Sequence, residues 1–155
     1  MYQELYIEND YGAIDGYTVS VNEENYKNYL ISETNERGKA KIIIEEIEKI
    51  GNEVLVIKNI NIEDEHRGQG FGKMLMEEAM SESGADIILL VADAYESQLP
   101  GFVLEKFYQK FDFEKVMDTG AGPLMVYPSE IAESIKQKLE STIQESKKSR
   151  KMKPI

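Results

Sequence analysis

The alternation of hydrophobic and polar residues predicts a mixture of strands and helices. Tyr2 to Ile7 and Tyr17 to Val21 are typical of short strands around a Gly12/Gly16 turn region, and Glu23 to Ser32 is weakly helical. The segment from Lys41 to Ile50 is ambiguous, because its consecutive isoleucines favour a strand while their wider spacing also suits a helix. The Gly-Asn pair and the apolar run that follow favour a hairpin, so we predict a strand here.

A strand, a helix and a second strand are predicted in the middle of the chain. Val54 to Ile62 is typical of a long strand. From Phe71 onward, apolar residues recur on one face of a predicted helix, and Gly84 supplies its C-terminal stop. Ile87 to Val91 is apolar without alternation, as in a strand covered on both faces. Together these elements predict a βαβ unit with a glycine-rich turn before its helix.

The remaining sequence predicts a short helix, a strand pair and a terminal helix. The short helix extends from about Phe102 to Lys110, and Phe113 to Met117 pairs with Leu124 to Tyr127. Apolar residues at every fourth position from Ile131 to Ile143 predict an amphipathic helix that begins near Ser129.

Charge divides the chain into two parts. Residues 1–128 contain 25 acidic and 11 basic residues, a net charge of −14, whereas residues 129–155 contain 4 acidic and 7 basic residues, a net charge of +3. We interpret residues 1–128 as one domain. Residues 129–155 form a C-terminal helix and basic tail that packs on this domain or makes a dimer contact.

Composition narrows the classes of function. The net charge of −11 disfavours a nucleic-acid partner and favours a cationic ligand. There are no cysteines, which excludes disulfides, thiolate–metal sites and a cysteine nucleophile. With no leader-like segment and no apolar run long enough to span a bilayer, we expect a soluble cytoplasmic protein without a membrane partner.

The strongest chemical signal is the turn Arg67-Gly68-Gln69-Gly70-Phe71-Gly72-Lys73, between the predicted strand and helix. Its alternating glycines let the main chain approach a ligand without obstruction by Cβ atoms. The helix that follows directs its unbonded N–H groups and positive dipole end at the same place. Arg67 and Lys73 add positive charge. The segment therefore predicts a phosphate-binding turn.

Spacing argues against two other phosphate-binding motifs. A nucleoside-triphosphate loop requires a glycine five positions before the Gly-Lys pair and a Ser or Thr after it, where this chain has Arg67 and Met74. A dinucleotide fingerprint requires a third glycine where this chain has Lys73.

The Arg-x-x-Gly-x-Gly pattern at Arg67, Gly70 and Gly72, directly after a predicted strand, resembles the pyrophosphate motif of the GNAT superfamily of acetyl-CoA-dependent N-acetyltransferases. The segment from Phe107 to Phe113 resembles the Tyr-x-x-x-Gly-Phe segment of that family. The order of elements agrees from about Lys39 to Tyr127. The resemblance implies a GNAT-like α/β fold (an α+β mixed sheet flanked by helices), with the C-terminal helix as an addition.

The resemblance also implies a site for acetyl-CoA as co-substrate, and we expect no metal. The main chain from Ile60 to Ile62 would pair with the pantetheine arm. The residues implied at the pyrophosphate are those that supply main-chain N–H groups, Gln69, Gly70, Gly72 and Lys73, and those that shape the turn, Arg67 and Gly68.

Tyr108 matches the family's general acid. A phenol of pKa about 10 can protonate a departing thiolate whose conjugate acid has a pKa near 8.5, at a cost of roughly 2 kcal/mol. The alternative is that Tyr108 is one more buried aromatic residue that serves packing alone.

No general base is evident. Deprotonating a lysine-like amine at pH 7 costs roughly 4.6 kcal/mol. The plausible strand positions hold Val56, Lys58 and Leu90, none a convincing base. Weaker candidates for the base are Glu63, Asp93, Glu96 and His66, and we interpret His66 as an exposed structural residue. The default proton acceptor is a chain of water molecules.

Three features depart from the family pattern. Asp112 stands where the family usually has glycine, although aspartate tolerates a left-handed conformation. Gly101 stands, after an insertion, where many members have an asparagine that contacts the cofactor. The N-terminal region is also short for the two helices that shape the acceptor site.

The expected function is acetyl transfer to a primary amine, either a small cationic amine or a protein lysine, by direct attack. We expect a monomer or a homodimer. The alternatives are a catalytically weak or inactive CoA-binding module and a protein-interaction domain that recruits a partner through its C-terminal helix.

Overall fold

A computed structural model of the protein describes residues 2–10, 12–62, 70–93 and 101–151. Within these ranges, helices cover both faces of a six-stranded mixed sheet. The fold class predicted from the sequence is confirmed. In chain order the elements are β1 (Gln3–Asn9), β2 (Gly12–Ser20), α1 (Glu24–Thr34), α2 (Arg37–Ile50), β3 (Glu53–Ile62), α3 (Phe71–Ser83), β4 (Ile87–Val91), α4 (Gly101–Gln109), β5 (Glu114–Asp118), β6 (Pro123–Tyr127) and α5 (Ser129–Lys151).

The strands lie in the order β1-β2-β3-β4-β6-β5. β3 and β4 are parallel, and every other neighbouring pair is antiparallel. Because α3 lies between β3 and β4 in the chain, these elements form the predicted βαβ unit. The predicted closing pair is also present as β5 and β6.

Two hydrophobic cores lie on opposite faces of the sheet, because successive side chains of a strand point to opposite sides. Val54 and Val56 of β3 pack with α1, α2 and α5, whereas Leu55 and Ile57 pack with α3 and α4. Residues Ile87 to Leu90 of β4 divide between the cores in the same way, and all four are buried. The prediction of a strand covered on both faces is therefore confirmed.

The prediction of a hairpin strand from Lys41 to Ile50 is wrong. These residues belong to α2, which packs Ala40, Ile43 and Ile47 into the core at helical spacing. Gly51 is required for close packing rather than for a hairpin turn, since a Cβ atom there would lie 2.3 Å from the Ile87 side chain. The N-terminal region therefore holds two helices, α1 and α2, despite its short length.

The first hairpin also differs from its prediction. Gly12 and Gly16 lie within β2 rather than in a turn region, and β2 pairs with β1 from Gly12 to Thr18. Gly16 lies against β3, where a Cβ atom would be 2.2 Å from the Val56 carbonyl oxygen. This glycine therefore permits close approach of two strands.

The C-terminal helix α5 begins at Ser129, as predicted, and packs against α2, β5 and β6. Ala132, Ile135 and Leu139 enter the core. Glu46 of α2, only 5% exposed, accepts a hydrogen bond from Ser134 Oγ (3.0 Å). None of the helices in the described ranges combines the length and apolarity needed to cross a bilayer.

Candidate active site

The parallel strands β3 and β4 separate partway along their length. They pair only at Val54–Ile87, Leu55–Ile88 and Val56–Leu89. Beyond this point β3 remains paired with β2 as far as Ile62, and β4 remains paired with β6 as far as Val91. The facing edges of β3 and β4 therefore separate and leave main-chain donors and acceptors unpaired with each other, in a gap at the carboxyl ends of the two strands.

A bulge in β3 lies at this gap. Gly16 of β2 pairs with Ile57 and Asp15 pairs with Asn59, which leaves Lys58 as an extra residue in β3. Such bulges bend a strand and redirect its side chains. The close approach of Gly16 to β3 and a hydrogen bond from Asn59 Nδ2 to Asp15 Oδ2 (3.2 Å) accompany this irregularity.

The gap opens into a cavity of about 570 Å³. Helix α1 contributes Asn25, Tyr29 and Glu33, which lie four residues apart and so occupy one face of the helix. The sheet and α4 supply the other walls. These include Tyr17 of β2, Lys58, Asn59 and Ile60 of β3, Val91 and Asp93 at the end of β4, and Tyr108 of α4.

Tyr108 lies at the wall of the cavity with only 6% of its surface exposed. Its ring makes edge contacts with Phe107 and Phe113, with centroids 5.1 and 5.9 Å apart. Burial raises its pKa above the ordinary value, which keeps the phenol protonated. Within the described part of the chain, no residue forms a hydrogen bond with its hydroxyl, so the proton is available to a ligand.

Two further ionisable residues of α1 line the cavity. Burial, followed by the charge of Glu33, raises the pKa of Tyr29, while a main-chain hydrogen bond from Val91 opposes the shift. Desolvation, followed by repulsion from Asp93, raises the pKa of the Glu33 carboxyl. The sequence analysis did not identify either residue as functional. The row that these two residues form with Asn25 is visible in the sequence, but it indicates a site only once α1 is known to pack beside the cavity.

The glycine turn is described only from Gly70 onward. Gly70 precedes α3 in a left-handed conformation (φ 85°), and its carbonyl accepts the first helical hydrogen bond, from Met74. Gly72 and Lys73 belong to the first turn, whose N–H groups have no partner within the helix. Lys73 is 69% exposed, with its Nζ atom 3.8 Å from a carboxylate oxygen of Glu77.

Several of the site residues predicted from the sequence lie outside the described residues, whereas Ile60, Ile62 and Asp112 are described. The undescribed positions are Arg67, Gly68, Gln69, Glu63, His66 and Glu96, together with Ala94–Pro100 of the insertion before Gly101. Ile60 lies at the cavity wall, and Ile62 ends β3. Asp112 adopts the left-handed conformation expected for the family's glycine (φ 69°) and accepts a hydrogen bond from Ser129 Oγ (2.5 Å).

No set of three or more potential metal ligands is clustered among the residues that the structure describes. The site therefore consists of a main-chain gap, a helix N-terminus and a cavity with phenol and carboxylate groups. This arrangement can accommodate an extended ligand with an anionic end and can protonate a leaving group inside the cavity.

Comparisons with known proteins bear on this site. Residues 24–115 match the family model described as the acetyltransferase (GNAT) domain. This match begins in α1 and therefore includes both N-terminal helices. It extends further toward the N-terminus than the resemblance in the sequence, which begins at about Lys39. No match is found among curated protein sequences.

Three solved structures illustrate the similarity at low identity. Arabidopsis thaliana Naa50, in complex with a bisubstrate analogue that contains CoA, is 18% identical (TM-score 0.43), with 75% of this chain and 62% of that chain covered. Arabidopsis thaliana NAA60, also with a bisubstrate analogue, is 17% identical (TM-score 0.46), with 76% and 63% covered. An acetyltransferase from Bacillus cereus is 17% identical (TM-score 0.41), with 81% and 69% covered.

The chain spans less than two thirds of the length of each Arabidopsis protein. The family assignment therefore rests on the domain model, which matches more than half of the chain. On that ground, this protein belongs to the GNAT family of acetyltransferases.

Proposed function

We propose that this protein transfers an acetyl group from acetyl-CoA to a primary amine by direct attack, without an acyl-enzyme. The observation that carries this proposal is the junction of the β3–β4 gap with the cavity at Tyr108. Such a junction can bind an extended thioester along a strand edge and present its carbonyl carbon to an amine on the other side.

The gap suits the pantetheine arm because this arm contains two amide groups. Main-chain atoms of β3 from Ile60 to Ile62 lie beyond the last β3–β4 pair. A ligand that bonds to this edge as an added strand gains main-chain hydrogen bonds without a specific side chain. An N–H group of the same edge would also stabilise the oxyanion that forms as the amine adds to the thioester.

The start of α3 suits the pyrophosphate of CoA. Unbonded N–H groups and the positive end of the helix dipole favour an anion there. A Cβ atom at Gly70 would meet no described atom within 4 Å. Arg67, Gly68 and Gln69 would complete this binding turn together with Gly70, Gly72 and Lys73.

Tyr108 would act as the general acid. As the carbon–sulfur bond breaks, the phenol donates its proton to the thiolate, and the tyrosine later recovers a proton lost by the nitrogen. Burial makes phenolate formation more costly, but it also disfavours a bare thiolate in the same cavity. We therefore expect proton transfer from Tyr108 to the thiolate to cost roughly 2 kcal/mol, the value that follows from the ordinary pKa values of the two groups.

The acceptor would be a cationic amine. Glu33 and Asp93 line the cavity, and the chain as a whole carries a net charge of −11. Both features attract an ammonium group of a small amine or of a protein lysine. A CoA-binding module with little or no turnover is the second candidate, favoured by Gly101 at the position where many family members have an asparagine that contacts the cofactor.

Thiol release from acetyl-CoA would test the proposal and separate the two candidates. The acceptors would be spermidine, a lysine-containing peptide and a peptide with a free α-amino group, each compared with an acceptor-free control. We expect acceptor-dependent release of CoA, with mass spectrometry detecting the acetylated amine. Saturable CoA binding without product from any acceptor would instead support the binding module.

A further inference from the structure

We propose that Glu33 is the general base, which accepts the proton that the acceptor amine must lose. This inference rests on the proposed function and gives a role to a carboxylate that the family pattern in the sequence did not identify. It would supply the base missing from β3 and β4, where Val56, Lys58 and Leu90 provide no suitable group.

The position of Glu33 is set by helix α1. The side chains of Tyr26 and Leu30 bury this helix in the core, which turns the row of Asn25, Tyr29 and Glu33 toward the cavity. Tyr29 lines the cavity together with Val91, which places α1 beside the end of β4. A carboxylate one turn after Tyr29 is therefore held at the cavity wall by rigid elements.

A second observation marks the place where the reacting group would lie. The Tyr108 side chain is only 6% exposed and lines the same cavity as Glu33, and no described residue forms a hydrogen bond with its hydroxyl. A thioester that receives the Tyr108 proton at its sulfur would therefore react in the space that Glu33 lines. The acid and the base come from separate elements, α4 and α1, and can act on the leaving group and the nucleophile respectively.

The charges around Glu33 favour proton uptake. Loss of solvent and the nearby Asp93 carboxylate both raise its pKa, so it is a stronger base than an ordinary glutamate. Asp93 would be a positioning residue that acts through Glu33. Among the described residues, the titratable and charged groups that line this cavity with Glu33 are Tyr29 of α1, Tyr17 of β2, Lys58 of β3, Asp93 after β4 and Tyr108 of α4.

The proton balance is complete with these two groups. The ammonium gives one proton to Glu33, and the nitrogen lone pair then forms the amide bond while the carbon–sulfur bond breaks. The thiolate takes a proton from Tyr108, which is restored by the second proton that the nitrogen loses. Glu33 finally releases its proton to solvent, so acetyl-CoA and an ammonium yield an amide, CoA and one proton.

The pH dependence of kcat/KM distinguishes a base from a merely structural carboxylate. The experiment would use the fastest acceptor of the panel and compare the wild type with Glu33→Gln. With Glu33 as base, kcat/KM for the wild type rises as Glu33 loses its proton, then stays level up to the pKa of the amine. In Glu33→Gln only the free amine reacts, so kcat/KM falls at least ten-fold at neutral pH and climbs about ten-fold per pH unit.

Three variants sharpen the test. Glu33→Asp keeps a carboxylate and should retain the level region at a reduced rate. Asp93→Asn removes the neighbouring negative charge and should move the acidic limb to lower pH. Glu24→Gln, on the exposed side of the same helix and outside the cavity lining, is the matched control and should behave as the wild type.

Calorimetric binding of CoA confirms that each variant remains folded and binds cofactor. A Glu33→Gln profile that matches the wild type, or a wild-type profile that itself climbs with the free amine, would overturn the role of Glu33 and leave the proposed transferase intact. A wild type that acetylates no acceptor would refute the proposed function, and the inference with it.

Discussion

Replacing Tyr108 with phenylalanine removes one hydroxyl and leaves the surrounding aromatic packing in place. The ring would keep its edge contacts with Phe107 and Phe113, whose centroids lie 5.1 and 5.9 Å away. Since no described residue bonds to the hydroxyl, we expect the free energy of unfolding to change by less than about 0.5 kcal/mol. A loss of turnover would then reflect a slower chemical step rather than a smaller fraction of folded protein.

The expected loss follows from the proton that the thiolate needs. General acids contribute roughly 10²- to 10⁴-fold to rates, and water that enters the cavity can replace part of this effect. We therefore expect kcat to fall by about 10- to 1,000-fold, or roughly 1.4–4 kcal/mol in activation free energy. Because the hydroxyl acts on the leaving sulfur, the Kd for CoA should change by less than about two-fold.

Single-turnover thiol release, calorimetric CoA binding and denaturant unfolding would measure these three quantities. Tyr26→Phe is a matched control, since its buried hydroxyl donates to the Val21 carbonyl (2.6 Å) and does not line the cavity. This control should lose about 1–2 kcal/mol of stability and retain its kcat. If Tyr108→Phe keeps wild-type turnover while binding CoA normally, the acid role is refuted and Tyr108 serves packing alone.

Other substitutions test the fold and the cofactor site. Gly16→Ala places a Cβ atom 2.2 Å from a main-chain oxygen and should cost about 1–3 kcal/mol in denaturant unfolding. In contrast, a Cβ atom at Gly38 would meet no described atom outside its own helix backbone and chain neighbours within 4 Å, so Gly38→Ala should stabilise α2 by about 0.5–1 kcal/mol. Gly70→Ala and Gly84→Ala both strain a positive φ and should each cost about 1–2 kcal/mol, but calorimetry should find weakened CoA binding only for Gly70→Ala. Glu46→Ala should lower stability by about 1–3 kcal/mol and reduce hydrogen-exchange protection in α5, because it removes the acceptor of the Ser134 hydroxyl. Equal CoA affinity in both left-handed glycine variants would contradict the role of the α3 N-terminus.

Local patterns were sufficient for the elements around the glycine turn. The helix from Phe71, its stop at Gly84 and the buried strand from Ile87 to Val91 were each predicted, because periodicity, a left-handed glycine and uninterrupted apolarity are local signals. The left-handed conformation of Asp112 was likewise expected from the tolerance of aspartate for that region.

Long-range packing decided the elements that were predicted incorrectly. The isoleucines of α2 suit either a strand or a helix, and their burial against the sheet selects the helix. The sequence pattern around Gly16 and Gly51 predicts turns, but each glycine is a point of close approach to another element. A sequence pattern alone does not reveal which neighbouring element packs against a glycine.

The candidate site could be predicted only in part from the sequence, because long-range packing also brings its residues together. The position of Tyr108 followed from a motif, but Tyr29, Glu33 and Asp93 come together only after α1 packs beside the end of β4. Glu33 is separated from Asp93 by 60 positions, and no local spacing connects them. The β3 bulge at Lys58 is also a property of strand pairing, not of one segment.

The central claim is that the β3–β4 gap and the N-terminus of α3 bind CoA. Isothermal titration calorimetry of the 155-residue chain with acetyl-CoA and with free CoA tests it most directly. We predict saturable binding of one cofactor per chain, with a Kd in the range of about 1 μM to 1 mM that is typical of substrates. Absence of saturable heat for both ligands at millimolar concentration would contradict the account.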